Sequence, residues 1–292
     1  METDRATAVA SATVLVTGVF WGLYWLPVRA LGAWGLGGAW GTAAIALSAV
    51  ALLLPLAWPR RAVLWQANGL ALGAIALGGA AFALYSIGFL YGRVAIIILL
   101  WFLSPVWSTL IGRFVMGWPT PPLRIVAIVL GLIGLLVMLG AEGEMPLPQG
   151  LGEWMSLVGG ILWSFSTVGI RVKSTVEPIS ATLVFAMGAA AASLLLAPML
   201  EPVPQLGGQP LGAIIGLSVL TGGLWWAVSL IGLMWATVRL DPARVSILLM
   251  AEVMIGAVSA AVLIGEHLHP LELLGGALVL VAGLVEVWPA RR

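Results

Sequence analysis

Ten runs of about 20 predominantly apolar residues divide this chain, each long enough to cross a hydrocarbon core of ~30 Å as a helix. They fall roughly at 9–29, 36–57, 67–90, 93–115, 123–140, 152–172, 179–199, 211–236, 242–265 and 270–288. Open strands would leave backbone groups unpaired in lipid, so runs of this length read as helices. Turn chemistry separates them at Pro59-Arg60-Arg61, Trp118 to Pro122, Glu142 to Gln149 and Glu201 to Pro204. Charged residues make up 9% of the 292 and hydrophobic ones 61%, with mean hydropathy +1.11. That is too little polarity to cover a soluble surface or to sustain disorder. The expected class is an all-α polytopic membrane protein.

The cations set an orientation. With the N-terminus inside, Arg5, Arg60, Arg61, Arg113, Arg124, Arg171, Lys173, Arg239, Arg244, Arg291 and Arg292 fall on or near the inner side. Only Arg29 and Arg93 fall outside. Inner loops are the ones enriched in Lys and Arg, so both termini are read as cytoplasmic. The first apolar run reads as a transmembrane helix, with no cleavable signal evident. Cysteine is absent, which excludes disulfides, thiolate nucleophiles and Cys-bound metals. A net charge of +1 offers nothing to nucleic acid. No phosphate loop, carboxylate cluster or nucleophile constellation is present, so neither an enzyme nor a primary pump is expected, and no cofactor.

The two halves of the chain echo each other. Gly18, Trp21, Val28 and Arg29 match Gly160, Trp163, Ile170 and Arg171, and Pro27 matches the other helix-weakening residue, Gly169. Pro55 pairs with Pro198, Gly78-Gly79 with Gly222-Gly223, Ile87-Gly88 with Ile231-Gly232, and Gly117 with Gly265. The last pairing sets Ser104 against Glu252. Five spans per repeat is odd, so the second half would sit upside down, as Arg29 outside and Arg171 inside require. Residues 1–140 form the expected first repeat, 151–288 the second, and 141–150 a periplasmic linker. Inverted repeats are a recurring device of secondary transporters, with a site near the midplane between the halves.

With these features the chain resembles the drug/metabolite transporter superfamily, in its EamA branch. The local pattern carrying the resemblance is a small-residue-rich helix with Pro preceded by Glu or Ser, then Gly-Glu about a dozen residues later. Leu103-Ser104-Pro105-Val106-Trp107 leads to Gly117 in the first half, and Ala251-Glu252-Val253 to Gly265-Glu266 in the second. Val253 replaces the expected proline, and Trp118 stands where the first half would have Glu. The resemblance implies a bacterial inner-membrane exporter of amino acids or related metabolites. The many aromatics inside the spans lean toward aromatic amino-acid exporters of the YddG type. The implied partners are a small-molecule substrate and the lipid bilayer. No oligomeric state is set, and a monomer is compatible.

Helical spacing nominates the residues that face a pathway. Gly160, Ser164, Thr167 and Arg171 share one face of helix 6, bordered by Trp163. Helix 4 carries Trp101, Ser104, Pro105 and Ser108 on one face. Gly78, Phe82, Tyr85 and Phe89 stripe helix 3, and Gly222, Trp226, Ser229 and Leu233 stripe helix 8, with Tyr85 and Ser229 at the same repeat position. Such stripes serve helix packing as readily as binding. The spacings Gly18-xxx-Gly22, Gly69-xxx-Gly73 and Gly88-xxx-Gly92 read as packing motifs.

Glu252 is the sharpest signal. Counted from Asp241-Pro242 it lies roughly 16 Å into helix 9, near the middle of the core. Carboxylates at that depth are costly and mark function by default. Glu252 would exchange a proton, bind a substrate ammonium, or, as a structural group, hold neighbouring helices. The candidate substrate-binding set is therefore Tyr85, Trp101, Ser104, Trp163, Ser164, Trp226, Ser229 and Glu252. His267 and His269 supply too few ligands for a metal site. The expected function is export of amino acids by alternating access. The alternatives are a cationic-drug or nucleotide-sugar-like carrier and, in another class, an intramembrane enzyme or structural membrane protein. Anionic substrates would ask for Arg or Lys deep in the membrane, which are missing.

Overall fold

Long apolar runs wind into helices, which satisfy every backbone group within the segment. The computed structural model describes residues 2–117, 122–141, 147–173, 176–205, 207–237, 239, 240, 245 and 248–287. Among these, every regular element is helical. In chain order they are α1 (Glu2–Gly22), α2 (Trp25–Ala33), α3 (Gly38–Ala57), α4 (Arg61–Gln66), α5 (Gly69–Tyr91), α6 (Val94–Trp101), α7 (Ser104–Phe114), α8 (Pro122–Leu139), α9 (Leu151–Lys173), α10 (Pro178–Leu200), α11 (Leu211–Thr221), α12 (Ser229–Thr237), α13 (Ala251–Ile264) and α14 (Pro270–Val287). Among the described residues six stretches are long and apolar enough to cross a membrane: Arg5–Ala33, Gly38–Gln66, Gly69–Tyr91, Val94–Phe114, Pro178–Leu200 and Leu211–Ala236. Ile125–Leu139, Ala251–Ile264 and Pro270–Val285 are apolar but shorter.

Several expected single spans are broken, and two of the breaks have a proline as cause. A proline ring clashes with the carbonyl four residues back and offers no N–H to it. Pro27 acts on Leu23, where α1 gives way to α2 through a turn at Leu23 and Tyr24. Pro105 acts on Trp101, the last residue of α6, and α7 starts at Ser104. Helix 9 differs more from expectation. A turn at Met250 precedes α13, which places Glu252 in the first turn of a helix instead of midway along one. The expected start at Asp241-Pro242 lies outside the described residues, as do Arg244, Arg291 and Arg292. Between α11 and α12 the chain runs as a π-helix over Gly222–Val228, whose wider turn carries Trp225 and Trp226.

Helix α5 lies along α9 and α10, α3 along α10, α8 along α14, and α1 along α12 and α13. Bare glycine faces permit these approaches. A Cβ on Gly22 would fall 2.7 Å from the Glu252 carbonyl oxygen, and one on Gly88 would fall 3.0 Å from that of Gly152. At the crossing of α5 and α10, Gly79 meets the Phe185 carbonyl and Gly188 that of Ala76. The sequence reading of Gly69-xxx-Gly73 as a packing motif is wrong: no atom lies within 4 Å of a Cβ on either. Leu195, Met199, Ile215 and Val262 are exposed, an apolar skin suited to lipid. Trp58, Trp65 and Trp154 are exposed at span ends, where interfacial anchors belong; Trp118 and Trp288 lie outside the described residues.

Candidate functional site

Where these helices converge, the centre is aromatic. Phe82 on α5 meets Trp21 edge-on at 4.7 Å, Trp226 at 5.2 Å and Trp101 at 5.7 Å between ring centroids. Tyr85, one turn further along α5, stacks on Trp101 at 4.7 Å, and Trp163 of α9 lies 5.5 Å beyond. Each such pair adds about 0.5–1.5 kcal/mol beyond its buried area, so the cluster is rigid.

Long-range hydrogen bonds tie the cluster to its helices. The Tyr85 hydroxyl donates to Glu252 Oε1 at 2.9 Å, joining α5 to α13. Trp21 Nε1 donates to Ser229 Oγ at 2.9 Å and Trp25 Nε1 to Ser259 Oγ at 3.0 Å. Trp226 Nε1 donates to the Tyr24 hydroxyl at 3.1 Å, which pairs with Ser86 Oγ, itself paired with Thr42. Glu252 is 8% exposed, so its one tyrosine partner matters. Replacing Tyr85 with Phe removes that partner and leaves the stacked ring. A melt of purified protein is expected to show a loss of about 1–3 kcal/mol, the scale for a buried polar group left unmatched.

Against this cluster lies a partly open cavity of about 290 Å³. Its walls include Trp21, Phe82, Trp101, Trp163, Phe185 and Glu252. Ser104 and Pro105 at the start of α7 also reach it, as do Met250 at the turn before α13 and the residue before it, Leu249. The volume is at the small end for ligand pockets, and the lining is mostly apolar with few polar groups. Such a site suits a small metabolite with an apolar body.

The sequence profile of the EamA-like transporter family matches residues 150–286. Over that segment the chain matches the EamA-like transporter family. The family is one of transporters of the drug/metabolite type, not of enzymes. No curated protein matches the sequence. One of 13 matching solved chains superposes over 97% of this chain and 96% of its own, with a TM-score of 0.62 at 19% identity, which speaks for the fold alone.

Of the sequence-derived set, Trp101, Ser104, Trp163 and Glu252 line the cavity together. Tyr85 sits behind it, reaching Glu252. Trp226 and Ser229 also stand behind the wall, the first fully buried against Phe82 and the second accepting from Trp21. Ser164 does not face the cavity: it donates to the Ser104 and Gly160 carbonyls and braces the α6–α7 break. Gly160 lies against the Leu100 and Trp101 carbonyls, so the polar stripe of helix 6 serves packing at those two positions. Among the lining residues outside that set, four are aromatic: Trp21, Phe82, Phe102 and Phe185. Trp21 was signalled by its repeat partner Trp163, and Phe82 by its place on the Tyr85 stripe. Phe185, on a helix of small residues, carried no signal.

One end of the bundle is sealed by carboxylates. Gly265 closes α13 with φ +67°, a left-handed turn that glycine permits without strain. The turn brings Glu266 over the start of α6, where it accepts the Val94 and Ala95 N–H groups at 3.0 and 3.1 Å. Arg93 pairs through both terminal nitrogens with the buried Glu272, and Tyr91 donates to Glu201. Arg29 donates to the Phe89 and Gly92 carbonyls, so Arg29 and Arg93 share this end. All eight residues of α6 are buried beneath it. The cavity lies beyond Trp101, on the far side of α6. At the opposite end Arg60 and Glu177 approach to 3.4 Å on an exposed surface.

Proposed function

We propose that the chain is a ten-span secondary exporter of small amine-bearing metabolites, amino acids among them, working by alternating access between two inverted repeats. The repeats are residues 1–140 and 151–288, joined by 141–150. The observation carrying the reading is a buried carboxylate, Glu252, at the edge of an aromatic cavity sized for a single small metabolite. The carboxylate receives the substrate ammonium and the rings its apolar body. Helix pairing supports the inverted repeat. The packing of α9 on α5 has a counterpart in α1 on α12; that of α9 on α6 and α7, in α1 on α13. Gly117 and Gly265 both have φ +67°, and Trp21 and Trp163 both line the cavity. Arginine bias puts both termini in the cytoplasm of a bacterium, so the sealed end faces outward and the cavity belongs to an inward-facing form.

The substrate moves when the outer seal opens and the inner end closes. Proton exchange at Glu252 would supply the driving force, since no nucleotide site is present in the sequence. Counterflow of radiolabelled neutral and aromatic amino acids and simple amines in proteoliposomes, with and without a pH gradient, tests the reading. Movement of none of them ends it.

The seal makes its own prediction. Glu272→Gln weakens the Arg93 pair and unlocks α6, whose Leu99 packs on Gly276. With no native cysteine, a cysteine placed at Leu99 reports alone. Its maleimide labelling from outside is expected to rise about tenfold, a modest share of a buried pair's worth because Arg93 is partly exposed. Unchanged labelling would separate the seal from the transport cycle.

A further inference from the structure

The charge pattern of the cavity narrows the substrate class, resting on the reading of that cavity as the transport site. Among the described residues that line it, Glu252 is the single ionisable one, and none of these is Arg, Lys or His. Six aromatic side chains, Trp21, Phe82, Trp101, Phe102, Trp163 and Phe185, make up much of the remainder. Aromatic faces attract cations through their quadrupole, most strongly where water is excluded. An acid among aromatic rings therefore complements a positive head on an apolar body.

A substrate carboxylate would meet the reverse. It would leave water for a cavity that already holds an acid, with no cation among the described lining residues to receive it. The neutral donors there are few. The Trp21 N–H is committed to Ser229, which leaves the Ser104 hydroxyl and the indoles of Trp101 and Trp163. Neutral donors compensate a desolvated carboxylate poorly compared with a bidentate cation.

We infer that the preferred substrates are monocationic primary amines with a single apolar or aromatic group and no carboxylate, and that the parent amino acids rank below them. A volume of about 290 Å³ fits one ring and a short chain and excludes larger cations.

Three probes of one skeleton separate the charges: 2-phenylethylamine carries only the amine, L-phenylalanine both groups, and 3-phenylpropanoate only the carboxylate. Each is assayed against the full-length protein by counterflow in proteoliposomes and by the shift it gives to the melting temperature in detergent. The amine is expected to compete at least about tenfold better than phenylalanine, as an unmatched buried charge requires, and the carboxylate not at all. In Glu252→Gln, checked for a single symmetric elution peak, the advantage of the amine is expected to vanish. Phenylalanine equal to or better than the amine overturns the inference and leaves the exporter reading standing. A folded Glu252→Gln that keeps the preference also overturns it. If none of the three is moved or bound, the inference and the exporter reading fall together. The wild-type ranking decides the matter even if the variant does not fold.

Discussion

Glu252→Gln is expected to lower transport of amine-bearing substrates at least about 100-fold while the helices stay assembled. Glutamine is nearly the same shape and still offers a carbonyl oxygen to the Tyr85 hydroxyl, now 2.9 Å from Oε1. What it removes is the charge. Losing one partner of a buried, hydrogen-bonded charge pair typically takes 2–5 kcal/mol from binding, which sets the hundredfold scale. If Glu252 merely bridged α13 to α5, the glutamine would bridge equally well, and transport would be unchanged. Initial rates in proteoliposomes across pH distinguish the two roles. A variant with full activity and the wild-type pH profile would remove both the ammonium site and proton exchange at this residue.

Gly79→Leu should prevent assembly altogether, or destabilise the protein by about 3 kcal/mol or more. The new side chain begins against the Phe185 carbonyl and within 2.8 Å of the Ala189 nitrogen, both backbone atoms of α10. Backbone cannot swing aside as a side-chain tip can, so the overpacking falls at the severe end of its usual range. Gly73, two turns earlier on the same helix, gives the opposite result. Open space surrounds it, and Gly73→Ala is expected to add about 0.5–1 kcal/mol by restricting the unfolded chain. Melting curves for the pair in detergent check both signs. A mild effect at Gly79 would mean that α5 and α10 do not cross there.

Much of this was readable from residues, and the remainder failed for identifiable reasons. Apolar runs announced the helices, because length is a local property; the breaks at Pro27 and Pro105 were not expected, although a proline's missing N–H explains them. Arg29 and Arg93 were assigned to one side from charge bias alone, and they meet at one end of the bundle. The seal itself was not legible. Glu266 finds α6, and Arg93 finds Glu272, across more than half the chain, and helical periodicity says which face a residue is on but not which helix it meets. The same limit hid the Tyr85–Glu252 bond, although each residue was nominated separately. Met250 interrupts its span without a proline, and the π-helix at Gly222–Val228 has no sequence marker, so Trp226 was placed on the cavity wall when it stands behind it. Ser164 was misassigned because small hydroxyls that brace a broken helix look like those that line a pathway.

The two left-handed glycines, Gly117 and Gly265, are alike in backbone but lead into different residues. After Gly265 comes Glu266, which clasps α6; after Gly117 comes Trp118, which has no carboxylate to offer. On the proposed inverted repeat, halves with identical loops would give inward- and outward-facing conformers of equal energy, related by a two-fold axis in the membrane plane. Among the described residues the clasp is on the Gly265 side, and on that reading a one-sided clasp breaks the degeneracy and leaves the inward-facing conformer the more populated. Population is not direction. With equal pH on the two faces, so that no proton gradient acts, detailed balance fixes the ratio of forward to reverse efficiency whatever the clasp does. The imbalance therefore surfaces as unequal half-saturation concentrations on the two faces of the membrane, the conformer that must first unclasp demanding more solute. Measuring zero-trans influx and efflux on the same vesicles would turn one missing glutamate into a kinetic asymmetry.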